Sequence, residues 1–477
     1  MNLLEFIPPK KFYLIIINFL LGLTLAFSFE PFNIPFLSVL IIGIYFSMND
    51  YVFSKLKNYH RIFFYNGISF GFGFFLLSMY WVSNSVTELD PALSYIAPLI
   101  TICLPFSLSI FFGLMQIVNA YCWDNSNSKI FYFSAVWIIC EFFRSILFTG
   151  LPWNLIGYSW SWSLAYSQTV SILGIYGLGL LTTFCAVCIF SFLSNSKNKN
   201  YLIIAIVILI LLYIHGSFRI NDNQTNYSEK NLRIVHTHFD QKDKWTKKAI
   251  NETATMGSLD LITVFPETSL GYDTNWPENW IYGYIRKEKG NFFNSVRHME
   301  FTYDKKILVP FGEYFPFSKA MSTLFPESIF FQSELTKGSD DQIFPFNISP
   351  LICYEIIFPS FVRESISNQT NLLVNISNDG WFGNFSGPKQ HFVHAQFRSI
   401  ELGIPLVRSS NKGFSGMISP IGEIMNLIDT GKNTYLDVKI PKKLETTIFR
   451  EYGNLFTYFL IVLFFIIGYA ISSKQKI

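Results

Sequence analysis

Long apolar runs fill the first half of this chain and constrain its fold more than any other feature. Seven such segments precede a stretch of ordinary globular composition, and an eighth follows that stretch. A helix needs about 20 consecutive apolar residues to cross a bilayer, and several of the runs are near or above that length. The sequence therefore predicts a multi-pass α-helical membrane domain of eight transmembrane helices, joined to one water-soluble unit. The eight segments are approximately 12–28, 32–48, 62–83, 94–122, 130–149, 165–193, 201–216 and 454–471.

The composition of the 477-residue chain changes sharply at its middle. Only 14% of the residues are charged, whereas a soluble protein carries about 25%, and the shortage is confined to the apolar segments. The net charge of +3 is too small to indicate a nucleic-acid partner. We expect a transmembrane domain at 1–216, a connector at 217–230, a soluble domain at 231–447, and a final transmembrane helix with its tail at 448–477.

Basic residues cluster beside four of the eight segments. If all eight segments cross the membrane, the four clusters fall on one side, and Glu88 and Asp90 fall on the other. Lysine and arginine are enriched in cytoplasmic loops. The pattern therefore predicts that the soluble unit lies outside the cytoplasm. The clusters are Lys10 and Lys11; Lys55, Lys57 and Arg61; Lys197 and Lys199; and Lys474 and Lys476.

Two groups of residues in the membrane half have more than one interpretation. Glu141 and Arg144 are spaced i, i+3, so a helix places them on one face, where they can pair. They are either an ion pair inside the bundle or part of the mouth of a site. Tryptophans crowd the predicted outer ends of the helices, where interface anchoring is the usual role. These tryptophans are Trp81, Trp153, Trp160 and Trp162.

From Asn231 onward, short apolar runs alternate with polar helical stretches. Short runs bounded by Pro, Gly and Asn favour central strands that are covered on both faces. This pattern predicts a layered α/β domain. The expected strands are 233–235, 261–265, 307–309, 350–353, 372–376, 405–408, 416–419, 423–427 and 434–438.

Three reactive side chains lie beside these runs: Glu267, Lys305 and Cys353. A glutamate can take the thiol proton, a lysine can neutralise a developing oxyanion, and a cysteine can carry an acyl group. The competing interpretations are a buried strand cysteine, an exposed glutamate, and Lys306 in place of Lys305. The other five cysteines lie in apolar segments, where cysteine behaves as a small hydrophobic residue.

Eight short motifs stand out along the chain: Val264–Glu267, Tyr303–Glu313, Ile352–Glu355, Trp137–Arg144, Thr149–Tyr158, Asn375–Gly383, Gly387–His391 and Arg398–Glu401. They resemble those of the nitrilase (carbon–nitrogen hydrolase) superfamily, and more narrowly of the apolipoprotein N-acyltransferases of Gram-negative bacteria. The resemblance covers nearly the whole chain. It implies a nitrilase-like αββα sandwich with a Glu267–Lys305–Cys353 triad, and a short polar helix at about 274–281.

This resemblance also implies roles for neighbouring residues. Glu313 matches an additional carboxylate of the family, Tyr354 and Glu355 shape the pocket, and the backbone N–H of Tyr354 is a second oxyanion donor. Trp245 is either a mobile cover over the site or a core residue. No metal is expected, because the H-x-x-H pair His391 and His394 lacks a third ligand. No cofactor is expected either.

The activity implied by the resemblance is transfer of an acyl chain from a phospholipid to a lipoprotein. The expected donor is phosphatidylethanolamine, and the expected acceptor is the N-terminal amine of a diacylglyceryl apolipoprotein. The protein is expected to be a monomer in the bacterial inner membrane, with its catalytic domain on the periplasmic side. Two alternatives remain open at this point: a membrane-tethered amidase that uses water, and a scaffold without catalysis.

Overall fold

The computed structural model describes residues 11–89, 91–272, 275–316, 334–339, 344–345, 347–429 and 431–474. Lys10, Asp90, Thr274 and Lys476, which contributed to the expectations above, lie outside the described residues. The α-helices in chain order are α1 Lys11–Ala26, α2 Leu37–Lys55, α3 Tyr59–Ser78, α4 Asn84–Leu89, α5 Ala97–Cys122, α6 Ser128–Ile146, α7 Leu164–Ser167, α8 Val170–Ser194, α9 Lys199–Asp222, α10 Lys247–Thr255, α11 Pro359–Glu364, α12 Gly387–Leu402, α13 Ile448–Tyr452 and α14 Leu455–Lys474.

Eleven strands are described, all after α9. They are β1 Tyr227–His236, β2 Ile262–Val264, β3 Trp280–Glu288, β4 Asn291–His298, β5 Phe301–Asp304, β6 Ile348–Ile352, β7 Leu372–Asn378, β8 Leu406–Asn411, β9 Ser415–Ile418, β10 Ile424–Ile428 and β11 Thr434–Pro441.

The chain divides into two units. Unit 1 contains Met1–Asp222, Phe385–Gln390 and Thr447–Ile477, and unit 2 contains Asn223–Asn384 and His391–Thr446. Helix α9 ends at Asp222 and strand β1 begins at Tyr227, so the division falls in the short segment between them.

Unit 1 is a bundle of apolar helices. Among the described residues, six helical segments are long and apolar enough to cross a membrane, and a bent pair, Tyr59–Ser78 with Tyr80–Glu88, makes a seventh. Helix α1 is apolar but only 16 residues long. The predicted multi-pass helical domain is confirmed, and its count of eight spans is approximate. In the segment Ser196–Asp222 only 11% of the most apolar window is buried, as expected of a helix that faces lipid.

The tryptophans of unit 1 were expected at the membrane interface, but three of them are interior residues. Trp81, Trp153 and Trp160 are at most 4% exposed. The indole N–H groups of Trp153 and Trp81 donate to Gln390 Oε1 at 2.8 and 3.2 Å. The buried indole N–H groups therefore have hydrogen-bond acceptors inside the unit, as buried indoles usually do.

Glu141 and Arg144 secure one loop of unit 1. Glu141 Oε1 accepts the backbone N–H of Ile156 at 2.9 Å. Arg144 Nη1 donates to the carbonyls of Leu151 and Trp153, both at 2.8 Å. Both charged side chains are buried and hydrogen-bond to the loop 151–156, which supports a structural role.

Unit 2 is a sandwich of two mixed sheets. The first sheet has the order β11-β1-β2-β3-β4-β5, and the second has the order β10-β9-β8-β7-β6. Side chains from both sheets share one apolar core, in which Ile234 and Val264 of the first sheet meet Ile352 and Val374 of the second. Residues on β1 and β3, with Phe265 directly after β2, form a second apolar cluster with Met256, which follows α10. The predicted α/β sandwich is confirmed.

Two local predictions in unit 2 are wrong. The apolar triplet 307–309 is not a strand, because the N–H groups of Ile307 and Val309 donate to the carboxylates of Glu355 and Glu313. The expected polar helix at 274–281 is also absent from the described part of that range. Its last two residues begin β3, which pairs in parallel with β2.

Candidate active site

The three reactive residues follow three strand ends. Glu267 comes three residues after β2, Lys305 directly follows β5, and Cys353 directly follows β6. Strands β2 and β3 are parallel, and β4 is antiparallel to both β3 and β5. Strand β5 therefore runs in the same direction as β2, and Glu267 and Lys305 emerge at the same edge of the first sheet. Polar side chains at such edges commonly form the sites of α/β proteins.

Four side chains form a buried polar cluster at this edge. Lys305 Nζ lies 2.8 Å from Glu313 Oε1 and 3.4 Å from Glu267 Oε1. Asn294 Nδ2 donates to the same two oxygens, at 3.1 and 2.7 Å. Lys305 is only 1% exposed. Although burial disfavours its charge, the carboxylates of Glu313 and Glu267 raise its pKa, so the lysine is an ammonium.

Cys353 occupies a tight turn at the end of β6. Its φ of 49° lies in the left-handed region that few residues other than glycine adopt. Cys353 is only 6% exposed. Burial, followed by the negative charge of Glu267, raises the pKa of the thiol to about 12, against the opposing effect of Lys305. The resting thiol is therefore neutral at physiological pH, and a base is needed to make it a nucleophile.

A buried polar triad lies behind Cys353. His391 Nε2 lies 3.2 Å from the Cys353 carbonyl oxygen, and His391 Nδ1 lies 2.9 Å from Asp379 Oδ1. Arg408 Nη2 donates to both oxygens of Asp379, at 2.9 and 2.8 Å. Despite burial, Arg408 and His391 hold the pKa of Asp379 below its usual range. These contacts tie the backbone of the strained turn to β7 and β8.

The distances alone would allow a metal ion near Cys353. Within the described ranges, Cys353, Asp379 and His391 each offer a ligand atom, and these atoms lie within 4.8 Å of one another. Both Asp379 oxygens accept from the guanidinium of Arg408, however, and a cation there would face that positive charge. The donor set therefore fits an ion-paired network better than a metal site.

Glu355 joins the turn of Cys353 to the turn of Lys305. Its Oε2 accepts the N–H of Ile352 at 2.7 Å, and its Oε1 accepts the N–H of Lys306 at 2.6 Å and the hydroxyl of Tyr303 at 2.8 Å. Burial raises the pKa of Glu355 to about 7. The residue thus connects the two sheets.

The remaining predicted residues differ in exposure. Tyr354 is buried and contacts the edge of the Phe358 ring at 5.1 Å between centroids. Trp245 is 39% exposed and packs on Tyr272 at 5.7 Å, so it lies at the surface and not in the core. Lys306, the rival of Lys305, is half-buried, with Nζ 5.8 Å from the centre of the Tyr303 ring.

Sequence reasoning missed two buried residues of the site. Asn294 bonds to both carboxylates near Lys305, and Lys244 Nζ donates to the Glu267 carbonyl at 3.0 Å and to Thr268 Oγ1 at 2.7 Å. The available signal for Lys244 was its position beside Trp245, the tryptophan named as a cover. Asn294 lies among the polar residues of β4 and carried no such signal.

Comparison with protein families gives two matches. Residues 21–188 match the model of the apolipoprotein N-acyltransferase N-terminal domain, and residues 279–448 match that of the carbon-nitrogen hydrolases. Lys305 and Cys353 lie inside the second match, and Glu267 lies before it.

Full-length relatives give the same family. The apolipoprotein N-acyltransferase of Rickettsia typhi is 31% identical, over 96% of this chain and 98% of that protein. The one from Rickettsia bellii is 32% identical, over 86% of this chain and 89% of that protein. The resemblance drawn from the motifs is confirmed.

Two solved structures of nitrilase-superfamily proteins match about half of this chain. Saccharomyces cerevisiae Nit3 is 15% identical with a TM-score of 0.33, covering 48% of this chain and 98% of that chain. A variant of the Nesterenkonia AN1 amidase is 14% identical with a TM-score of 0.29, covering 45% of this chain and 92% of that chain.

Proposed function

This chain belongs to the apolipoprotein N-acyltransferase family, and we propose that it transfers an acyl chain from a phospholipid, through a thioester on Cys353, to the N-terminal amine of a lipoprotein. The observation that carries the proposal is the convergence of Glu267, Lys305 and a neutral, base-dependent Cys353 thiol in a chain that aligns with these transferases over nearly its whole length.

In the first half-reaction, Glu267 accepts the proton of the Cys353 thiol while the sulfur attacks the ester carbonyl of the phospholipid. The Lys305 ammonium, with the backbone N–H of Tyr354, stabilises the oxyanion of the tetrahedral intermediate. The intermediate collapses to a thioester. The glycerol oxygen leaves with the proton from Glu267, as a lysophospholipid.

In the second half-reaction, the amine of the acceptor attacks the thioester carbonyl. Glu267, again ionised, takes a proton from the attacking nitrogen, and Lys305 stabilises the second oxyanion. Collapse forms the amide bond and releases the Cys353 sulfur, which recovers its proton from Glu267. Glu313 and Asn294 keep Lys305 and Glu267 in place during both steps.

The family and the membrane helices support a proposal for the substrates. We propose phosphatidylethanolamine as the donor and the diacylglyceryl-cysteine of an apolipoprotein as the acceptor. Because both carry acyl chains, the site should be reached from the level of the lipid headgroups, and water must be kept from the thioester. We also propose a monomer in the bacterial inner membrane, with the catalytic domain, 231–447, on the periplasmic side. A water-using amidase is not favoured, since the full-length relatives are named as transferases.

Intact mass spectrometry of the purified protein tests this proposal directly. After incubation with phosphatidylethanolamine vesicles, we expect one added acyl mass on Cys353 and its loss when a diacylated lipopeptide with a free amine is added. The Cys353→Ala variant should gain no acyl mass at all.

Two outcomes would contradict the proposal. An adduct that forms equally on Cys353→Ala would show that another residue is the nucleophile. A thioester that water discharges as fast as the lipopeptide amine would make the protein a hydrolase. Cys103→Ala, a change at an exposed cysteine in α5, is the matched control and should acylate like the unmodified chain.

A further inference from the structure

Lys244 is a second buried lysine beside the proposed general base. It lies between β1 and α10, is 4% exposed, and contributes no group to the steps described above. Its neighbours Lys242 and Trp245 are exposed. A charged residue is seldom fully buried unless it is paired. Hydrogen-bond acceptors around Lys244 must therefore compensate for the burial of its charge.

The Lys244 ammonium has three acceptors within hydrogen-bond distance. Nζ donates to the backbone carbonyl of Glu267 at 3.0 Å and to the hydroxyl of Thr268 at 2.7 Å. The Asn378 amide satisfies both of its atoms when its oxygen faces Lys244, at 3.1 Å from Nζ. An ammonium has three donors, and here each has its own acceptor.

These acceptors belong to both sheets of unit 2. Glu267 and Thr268 follow β2 in the first sheet, and Asn378 ends β7 in the second, next to the strand that carries Cys353. The backbone at Thr268 has a φ of +47°, a conformation that a β-branched residue adopts only when its surroundings hold it there. Lys244 contacts this turn through both a carbonyl and a side chain.

We propose that Lys244 is a positioning residue for the general base: its ammonium fixes the Glu267–Thr268 turn against the second sheet and so sets the distance between the Glu267 carboxylate and the Cys353 thiol. This role rests on the proposed function, in which Glu267 accepts the thiol proton. A misplacement of about 1 Å can cost about 10²-fold in rate. A contact that fixes Glu267 between the two sheets therefore affects the reaction rate directly.

The test is the rate of thioester formation on Cys353 from phosphatidylethanolamine vesicles, followed by intact mass spectrometry. In Lys244→Met, which keeps the length of the side chain but removes the charge, we expect the rate constant to fall about 10²-fold while the final fraction of acylated chains stays the same. A purely structural role would instead lower that final fraction and leave the rate constant of the folded chains unchanged. Lys242→Met, an exposed change two residues earlier, is the matched control and should react like the unmodified chain.

A pH profile provides a second readout. Burial lowers the pKa of Lys244 to about 8, against the charge of Glu267, which favours the ammonium. The further charged groups nearby are Lys305, which pairs with Glu267, and Glu313, which pairs with Lys305. Since the ammonium is the required form, thioester formation should decline as pH rises through about 8. Lys244→Met should lack this decline. The acylation step is measured because the acceptor amine takes no part in it.

The possible results separate the two proposals. If the unmodified chain forms no thioester, the proposed function fails. If it does, and Lys244→Met reacts at the same rate with the same pH profile, only the positioning role is overturned. If Lys244→Met does not fold, Thr268→Ala removes one acceptor and keeps the ammonium; a slower rate constant at full final acylation supports the role, and an unchanged rate overturns it.

Discussion

Lys305 and Lys306 are adjacent in sequence but have different surroundings. Lys305 lies 2.8 Å from Glu313 and 3.4 Å from Glu267, whereas Lys306 is half-buried over the ring of Tyr303. The two carboxylates raise the pKa of Lys305 and keep it charged, which an oxyanion donor requires.

We therefore expect Lys305→Ala to slow thioester formation by about 10²–10³-fold, the usual cost of one oxyanion donor. Lys306→Ala should have a much smaller effect, because the contact of its backbone with Glu355 survives the change. Both variants are assayed by the acyl mass on Cys353. Equal losses in the two would mean that the assignment of the oxyanion donor is wrong.

At the scale of residues, the sequence reveals reactive side chains beside apolar runs, but few of the contacts that hold those side chains in place. Glu267, Lys305 and Cys353 could be named because each follows a strand-like segment. The partner of Asp379 could not, because Arg408 lies 29 positions away along the chain and reaches it only through the parallel pairing of β7 and β8. Lys244 was missed for the same reason, since its acceptors come from two sheets.

At the scale of elements, Gly283 shows how β3 positions Glu267, the proposed general base. A Cβ atom at this position would lie 2.4 Å from the backbone nitrogen of Thr268 and 2.8 Å from Cα of Glu267. Both are backbone atoms, which cannot rotate away. The turn that carries Glu267 therefore rests directly on the strand.

We expect Gly283→Ala to push this turn outward by about 1 Å and to slow thioester formation by about 10²-fold. Overpacking of this kind costs about 1–3 kcal/mol of stability, so thermal unfolding is measured alongside the rate. Gly431→Ala, where the nearest atom to the added carbon is 3.9 Å away, is the control. A full reaction rate in Gly283→Ala would show that the position of Glu267 tolerates this shift.

The elements themselves were only partly predictable. Strands β6 and β7 each contain a short apolar run, at 351–352 and 372–374, and the sequence located both strands. The hairpin of β3 and β4 was missed, because its two strands include many polar residues. In this hairpin Ile281 pairs with His298 at one end, and Glu288 pairs with Asn291 at the other. The triplet 307–309 was assigned to a strand for its apolar side chains, although its backbone donors bind the carboxylates of Glu355 and Glu313.

At the scale of the whole molecule, the distribution of basic residues predicts which side of the membrane each unit occupies. The loops that carry Lys57 and Lys197 should face the cytoplasm, and unit 2 should lie outside it. Exposed lysines on both proposed sides provide positions for reporter cysteines.

We expect an impermeant thiol reagent to label Lys289→Cys in intact spheroplasts, in a background with the cysteines of the helices replaced. Lys57→Cys and Lys197→Cys should react only after the membrane is permeabilised. The reverse pattern would place the catalytic unit in the cytoplasm and contradict the proposed site of action. Cys353 itself is a poorer reporter, because it is only 6% exposed.

The resting Cys353 thiol is protonated and buried, and this also affects how long the thiol stays reduced. Oxidants and disulfides react with exposed thiolates, and a thiol with a pKa raised to about 12 offers almost none. Outside the bacterial cytoplasm the environment is oxidising, and free cysteines there tend to be converted to disulfides. In the proposed mechanism and location, Cys353 becomes a thiolate only when Glu267 takes its proton, and it therefore remains reduced between turnovers without a dedicated reductant.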